Sequence, residues 1–153
     1  MLKGPLLHPE ILAALAAAGH GSKVLIADGN YPHATTAGPN ASVVFLNLAP
    51  GTVTVTEALD AILTAVPVEA AHVIQPPPGM DPPILREFRT RLGDLPLQPL
   101  ERHAFYEAVR SPDTCLVVAT GEQRIYACLL LTIGVAMPPA SSQRDPERAP
   151  GRA

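Results

Sequence analysis

Aromatic residues are scarce in this chain: three tyrosines, three phenylalanines and no tryptophan among 153 residues. Charge is scarce too, at 16% of residues, against about 25% in an average globular domain. Eleven Lys and Arg stand against 14 Asp and Glu, a net charge of −3, and no dense basic run occurs. This excludes the basic face with which a nucleic-acid binder neutralises phosphates. Two cysteines, Cys115 and Cys128, are too few for a disulfide framework or a metal ligand set. Both lie in apolar stretches and read as buried, inert thiols. No run approaches the roughly 20 apolar residues of a membrane span, and Met1–Pro9 is too short and too proline-broken for a signal peptide. A cytoplasmic protein without membrane attachment is expected. Neither Gly-x-Gly-x-x-Gly nor a phosphate loop occurs, so a nucleotide cofactor has no support.

What is present is apolar: 47% of residues are hydrophobic, enough for one core in a chain of single-domain length. With so little charge, much uncharged surface is left over, and self-association is expected to cover part of it. Pro9 to Gly19 reads as a helix, with proline in its first turn, an alanine-rich interior and Gly19 as a left-handed stop. Lys23–Asp28 reads as a short apolar strand ending on a carboxylate, of the kind covered on both faces. A loop containing Asn30, Pro32, Gly38, Pro39 and Asn40 follows, then a strand over Ser42–Leu48. Thr56 is the expected N-cap of a helix to Val66 with Leu59, Ile62, Leu63 and Val66 inward. Ala71–Gln75 reads as a strand. The prolines between Pro76 and Pro83 forbid regular structure and lead into a helix over Ile84–Leu92, with Leu85, Phe88 and Leu92 inward and Arg86, Arg89 and Arg91 solvated. Gln98–Arg102 is a strand candidate and His103–Arg110 a short helix. Thr114–Thr120 and Ile125–Ile133 are strands joined by Gly121–Arg124, as a hairpin or a tight connection. From Met137 proline, serine and charge predominate, so a domain over 1–136 and a disordered tail over 137–153 are expected. Strands alternating with helices predict an α/β fold: a layered, single-domain architecture.

The chemistry-bearing segments are few. Gly19-His20-Gly21 presents an imidazole, whose ordinary pKa suits proton transfer near neutrality. On its own, a loop histidine with a capping role accounts for this segment better. Asp28 ends an apolar strand, where open α/β sheets bind ligands, although a turn aspartate capping Gly29 and Asn30 fits that position equally well. Two further clusters are Arg102–Glu107 and Thr120–Tyr126; in each, core aromatics and loop charges are the plain alternative. His8, His33 and His72 lack metal-ligand spacing and read as surface or loop residues.

In order and spacing, Gly19-His20-Gly21, Ile26-Ala27-Asp28, Tyr31-Pro32, Ala104–Glu107, Thr120-Gly121-Glu122 and Tyr126 together resemble the fucose mutarotase / ribose pyranase family from about residue 2 to residue 137. Gly21, Arg102 and Phe105–Glu107 place the resemblance nearer the fucose-type branch. It implies a three-layer αβα sandwich with a mixed, mostly parallel sheet. The implied protein is a cofactor-independent, metal-free isomerase that interconverts cyclic forms of a free monosaccharide such as fucose or ribose, and that assembles as a ring-shaped homodecamer with sites near subunit boundaries. By the same resemblance His20 is the proton donor, while Asp28, Arg102, Tyr126 and the residue at 128 contact the sugar. Two positions depart from the family pattern. Ser22 stands where Gly-His-Gly-Asp is usual, and Cys128 where Tyr-x-Asn is usual. Serine is a weaker, neutral partner for the histidine, and a thiol poorly replaces an amide that both donates and accepts. A non-catalytic monosaccharide-binding or sensor protein of the same fold is the alternative reading.

Overall fold

A computed structural model describes residues 1–139. The expected tail from residue 137 therefore lies, from 140 onward, outside the described residues. The elements run α1 (Pro9–Ala17), β1 (Lys23–Ala27), α2 (His33–Thr36), β2 (Ser42–Phe45), α3 (Val55–Leu63), β3 (Val68–Ile74), α4 (Pro83–Leu92), β4 (Leu97–Leu100), α5 (Arg102–Val109), β5 (Thr114–Ala119) and β6 (Leu129–Ile133). The six strands form one sheet in the order β2-β5-β1-β6-β3-β4. The β2–β5, β5–β1 and β3–β4 pairs are parallel, and β6 runs antiparallel to both β1 and β3. The fold is α/β with a mixed, mostly parallel sheet, as the sequence implies.

Both faces of the sheet are covered, which explains why its strands read as continuous apolar runs. Val24, Ile26, Leu116, Val118, Leu129 and Leu131 point to one side, against Ile11 and Leu15 of α1, Leu59 and Ile62 of α3 and Phe88 of α4. Leu25, Ala27, Val117 and Leu130 point to the other, against Phe105 and Val109 of α5 and Tyr31. At roughly 1.5–3 kcal/mol for each fully buried large aliphatic or aromatic side chain, these two clusters dominate the stability of the fold.

Several local expectations are corrected. Gly19 does not close α1; Ala18 caps it in extended conformation, and the left-handed residue is Gly21, at φ +84°. The N-cap of α3 is Thr54, in a reciprocal capping box with Glu57, rather than Thr56, which is buried inside the helix. Thr54 wins because the box satisfies two otherwise orphaned backbone donors. The hairpin reading of Thr114–Ile133 fails: β1 lies between β5 and β6, and the chain from Thr120 to Cys128 crosses over it. His72 lies within β3, half-buried, and His33 opens the short helix α2, so neither is a loose surface residue. Arg91 is half-buried and ion-paired to Asp60 at 2.7 Å, whereas Arg86 and Arg89 are exposed, Arg86 in a surface pair with Asp81 at 3.0 Å.

Candidate functional site

The carboxyl ends of β1, β3, β4 and β5 and the start of β6 meet at one edge of the sheet, the position where such sheets expose backbone and loop side chains to ligands. Asp28 follows β1 and is only 6% exposed. Its Oδ1 accepts the Asn30 backbone N–H at 2.9 Å, so the turn-capping role and a place in the site coexist. Its Oδ2 accepts the Cys128 thiol at 3.4 Å. The His33 Nε2–H donates to the Asp28 carbonyl at 3.1 Å, and burial lowers the pKa of that imidazole, favouring its neutral form. Burial first, and then the charge of Asp28, push the Cys128 thiol well up, so it stays protonated and donates.

A cleft of about 310 Å³ opens here, lined by Asp28, Asn30, Tyr31, Ile74, Arg102, Tyr106, Ile125, Tyr126 and Cys128. This lies near the lower end of the roughly 300–1,000 Å³ usual for small-ligand sites. Arg102 occupies the first position of α5, exposed, and makes no hydrogen bond or ion pair among the described residues. It presents an exposed cation at the cleft. Tyr126 is held at φ +59°, a backbone state rare for a bulky residue and characteristic of functional turns. Tyr31 makes edge-on contact with Tyr106 at 5.2 Å and with Phe105 at 6.5 Å, forming an aromatic wall. The Thr36 hydroxyl donates to the Pro32 carbonyl, and burial raises the Tyr31 phenol to about 12.

The loop beneath is locked. The Thr120 hydroxyl donates to the Ala27 carbonyl at 2.7 Å, and the Gly29 N–H to the Glu122 carbonyl at 2.9 Å. Glu122, 3% exposed, takes a two-pronged contact from Arg124 at 3.0 and 2.8 Å, and Arg124 also reaches Glu87 of α4 at 2.6 Å. Those bonds from Arg124 hold the Glu122 carboxyl below its ordinary range. A larger recess of about 500 Å³ adjoins the cleft across Asn30. Its one carboxylate is Glu122, already engaged by Arg124, so the free polar chemistry lies in the smaller cleft. Among the described residues, no group of three or more His, Cys, Asp or Glu is placed to hold a metal ion.

Of the residues singled out from sequence, Asp28, Arg102, Tyr126 and Cys128 converge on this cleft. His20 does not. It precedes β1, at the opposite edge of the sheet, separated from Asp28 by a strand of about 15 Å at roughly 3.3 Å per residue. There its Nε2 meets Glu69 of β3 at 2.9 Å. Asn30 and Tyr106 line the cleft although the sequence does not single them out for it, and Glu69 lies beside His20, away from the cleft. Tyr106 lay inside a motif already noted, whereas nothing in the local pattern marked Glu69.

Fold and cleft together define a small-ligand α/β protein with its binding edge at the carboxyl ends of parallel strands. The chain belongs to the RbsD / FucU transport protein family, whose model matches residues 1–136. It is 34% identical over 155 residues to the fucose mutarotase of Danio rerio, covering 90% of this chain and 96% of that one. It is 34% identical over 135 residues to the D-ribose pyranase of Streptomyces avermitilis, covering 88% and 98%. Among solved structures, the fucose mutarotase from Streptococcus pneumoniae in complex with L-fucose superposes with a TM-score of 0.74 at 27% identity, covering 90% of this chain and 100% of that one.

Proposed function

We propose that this protein is a cofactor-independent monosaccharide mutarotase, an isomerase that opens and recloses the ring of a free sugar such as fucose or ribose. The observation that carries the reading is the cleft itself: a buried carboxylate, Asp28, lines a space of about 310 Å³ together with Tyr126 and the guanidinium of Arg102, which has no ion pair among the described residues. Carboxylate and guanidinium are the groups that fix sugar hydroxyls most strongly, as charge-assisted partners. Kinship with proteins named fucose mutarotase and D-ribose pyranase supports the same reading.

The reaction requires one proton to leave the anomeric hydroxyl and one to reach the ring oxygen. The bond from the anomeric carbon to the ring oxygen then breaks and a carbonyl forms. Reclosure onto the other carbonyl face, or by another hydroxyl, returns both protons. In this account His20 delivers and recovers the ring-oxygen proton, a role that typically contributes about 10²–10⁴-fold. Asp28, Arg102, Tyr126 and Cys128 orient the hydroxyls.

His20 and the cleft occupy opposite edges of one chain, so a second copy supplies the histidine to each cleft. The arrangement we infer is the ring-shaped decamer implied by the sequence resemblance. Leu48, 84% exposed, and Ile125, 58% exposed, line the two recesses at this edge and supply apolar surface for such a contact. A cytoplasmic location accords with two unpaired thiols, Cys115 and Cys128, in a chain that carries no disulfide among its described residues.

A second reading, a monosaccharide binder without catalysis, draws on Cys128, which occupies one oxygen of Asp28 with a weak donor. Exchange NMR on equilibrated fucose, ribose and galactose separates the two. The mutarotase accelerates exchange between ring forms and His20→Ala does not. Line broadening without acceleration in the native protein identifies the binder.

A further inference from the structure

We propose that Glu69 is the positioning residue for His20: it holds the imidazole as the Nε2–H tautomer and leaves Nδ1 as the atom that exchanges protons with the sugar. The inference rests on His20 being the proton donor and adds to it the atom involved and the group that selects that atom.

Both Glu69 oxygens lie within reach of His20 Nε2, at 2.9 and 3.1 Å. A carboxylate only accepts, so Nε2 must carry the hydrogen, and in the neutral ring Nδ1 is then the free lone pair. The backbone is built to bring these groups together. In the β3–β6 ladder Val68 opposes Ile133 and Ala70 opposes Thr132, with a register shift between them, so Glu69 is the extra residue of a bulge. A bulge breaks the strict alternation of the strand and re-aims one side chain. Glycine at 134 leaves the lane open: a Cβ there would stand 3.3 Å from the Glu69 Cβ and 3.7 Å from its Oε2.

His20 is tied to the same scaffold. The Gly21 N–H donates to the Ile133 carbonyl at 2.9 Å, and the Ile133 N–H to the Ser22 carbonyl at 2.8 Å. Gly21 takes the left-handed turn, at φ +84°, that this pinning requires. The end of β6 thus places both partners. Ser22 does not serve the imidazole; its hydroxyl accepts the Gly19 N–H at 3.3 Å within its own turn. The carboxylate that the segment Gly19–Ser22 lacks is therefore supplied from β3. Because the side chains are 59% and 44% exposed, the pair adds little to folding stability. Its effect is on ring orientation and tautomer.

The test uses the full chain with Glu69→Ala, Glu69→Gln and His20→Ala, read by ¹⁵N NMR of the His20 ring, by sugar-exchange kinetics and by thermal melting. In the native protein the neutral ring carries its proton on Nε2. Glu69→Ala loses that preference, and its turnover falls by about tenfold, a part of the roughly 10²–10⁴-fold that a positioned proton donor supplies. KM and melting temperature stay near native. Glu69→Gln, which keeps an acceptor oxygen, falls between the two. Native turnover and native tautomer in Glu69→Ala, alongside an inactive His20→Ala, overturn the role of Glu69 and leave the mutarotase reading intact. Native turnover in His20→Ala overturns the proton-donor reading itself, while the tautomer measurement still decides whether Glu69 holds the ring.

Discussion

Cys128 donates its thiol to the Asp28 carboxylate at 3.4 Å, across the floor of the cleft, from the turn before β6 to the turn after β1. The two residues stand 100 positions apart in sequence, and their contact joins the ends of two neighbouring strands while leaving the rest of Asp28 turned toward a ligand.

Removing the thiol leaves a buried carboxylate oxygen without a donor. Cys128→Ala is expected to lower stability by about 1–2 kcal/mol and to raise KM for the preferred sugar. Cys128→Ser keeps a donor of nearly the same size and retains both properties. Chemical denaturation and sugar-exchange kinetics on the two variants check this, and equal behaviour of Ala and Ser would count against the contact.

Arg102 has no partner to lose among the described residues. Arg102→Ala should therefore leave stability within about 0.5 kcal/mol of native, as surface changes usually do. KM is expected to rise by roughly tenfold or more, since a hydrogen bond to a charged group is worth about 1.5–3 kcal/mol. A large drop in melting temperature instead would assign Arg102 to the fold.

Much of this fold and cleft is legible in the amino-acid sequence. The apolar run Lys23–Ala27 ending on Asp28 marks a central strand because both of its faces are buried, and the proline cluster from Pro76 marks a connection. Asp28, Arg102, Tyr126 and Cys128 were marked by the family motifs, and the cleft unites them. The residues that escaped notice did so for physical reasons. Glu69 sits in a bulge, where period-2 alternation fails, and its charge masks the start of β3, so that the strand seems to begin at Ala71. The hairpin reading of Gly121–Arg124 failed because strand order is decided by packing across the sheet, which local turn residues do not encode. The separation of His20 from Asp28 could not be seen in a motif list, since eight residues of chain look close until five of them form an extended strand.

Gly121 is wedged against the Thr52 and Ala49 carbonyl oxygens, leaving no room for a Cβ. Its N–H donates to the Val53 carbonyl at 2.8 Å, and its own carbonyl accepts the Gly51 N–H at 2.6 Å. Gly121→Ala should cost at least about 1–3 kcal/mol by overpacking and displace the Glu122–Arg124 loop. A fall in both melting temperature and turnover is the expected result.

The Glu122 carboxyl titrates below its ordinary value because Arg124 bonds to its charged form. A depressed folded-state pKa contributes stability that is complete above the unfolded value, near 4.5, and is lost as pH falls through the lowered value. His72, its pKa lowered mainly by burial, adds loss of the same sign beginning at higher pH, as pH drops below about 6.5. Urea midpoints measured from pH 7 to pH 3 should fall less steeply below pH 4.5 for Glu122→Gln than for the native chain.

The central claim is that no single chain holds a complete site: the cleft of one copy works with His20 of another. The most direct measurement is exchange NMR on assemblies co-expressed from two inactive chains, His20→Ala and Asp28→Ala. Sites that combine an intact cleft from the first chain with an intact His20 from the second should restore sugar exchange, although neither variant alone shows it. Mixed assemblies as inactive as their parents would contradict the account.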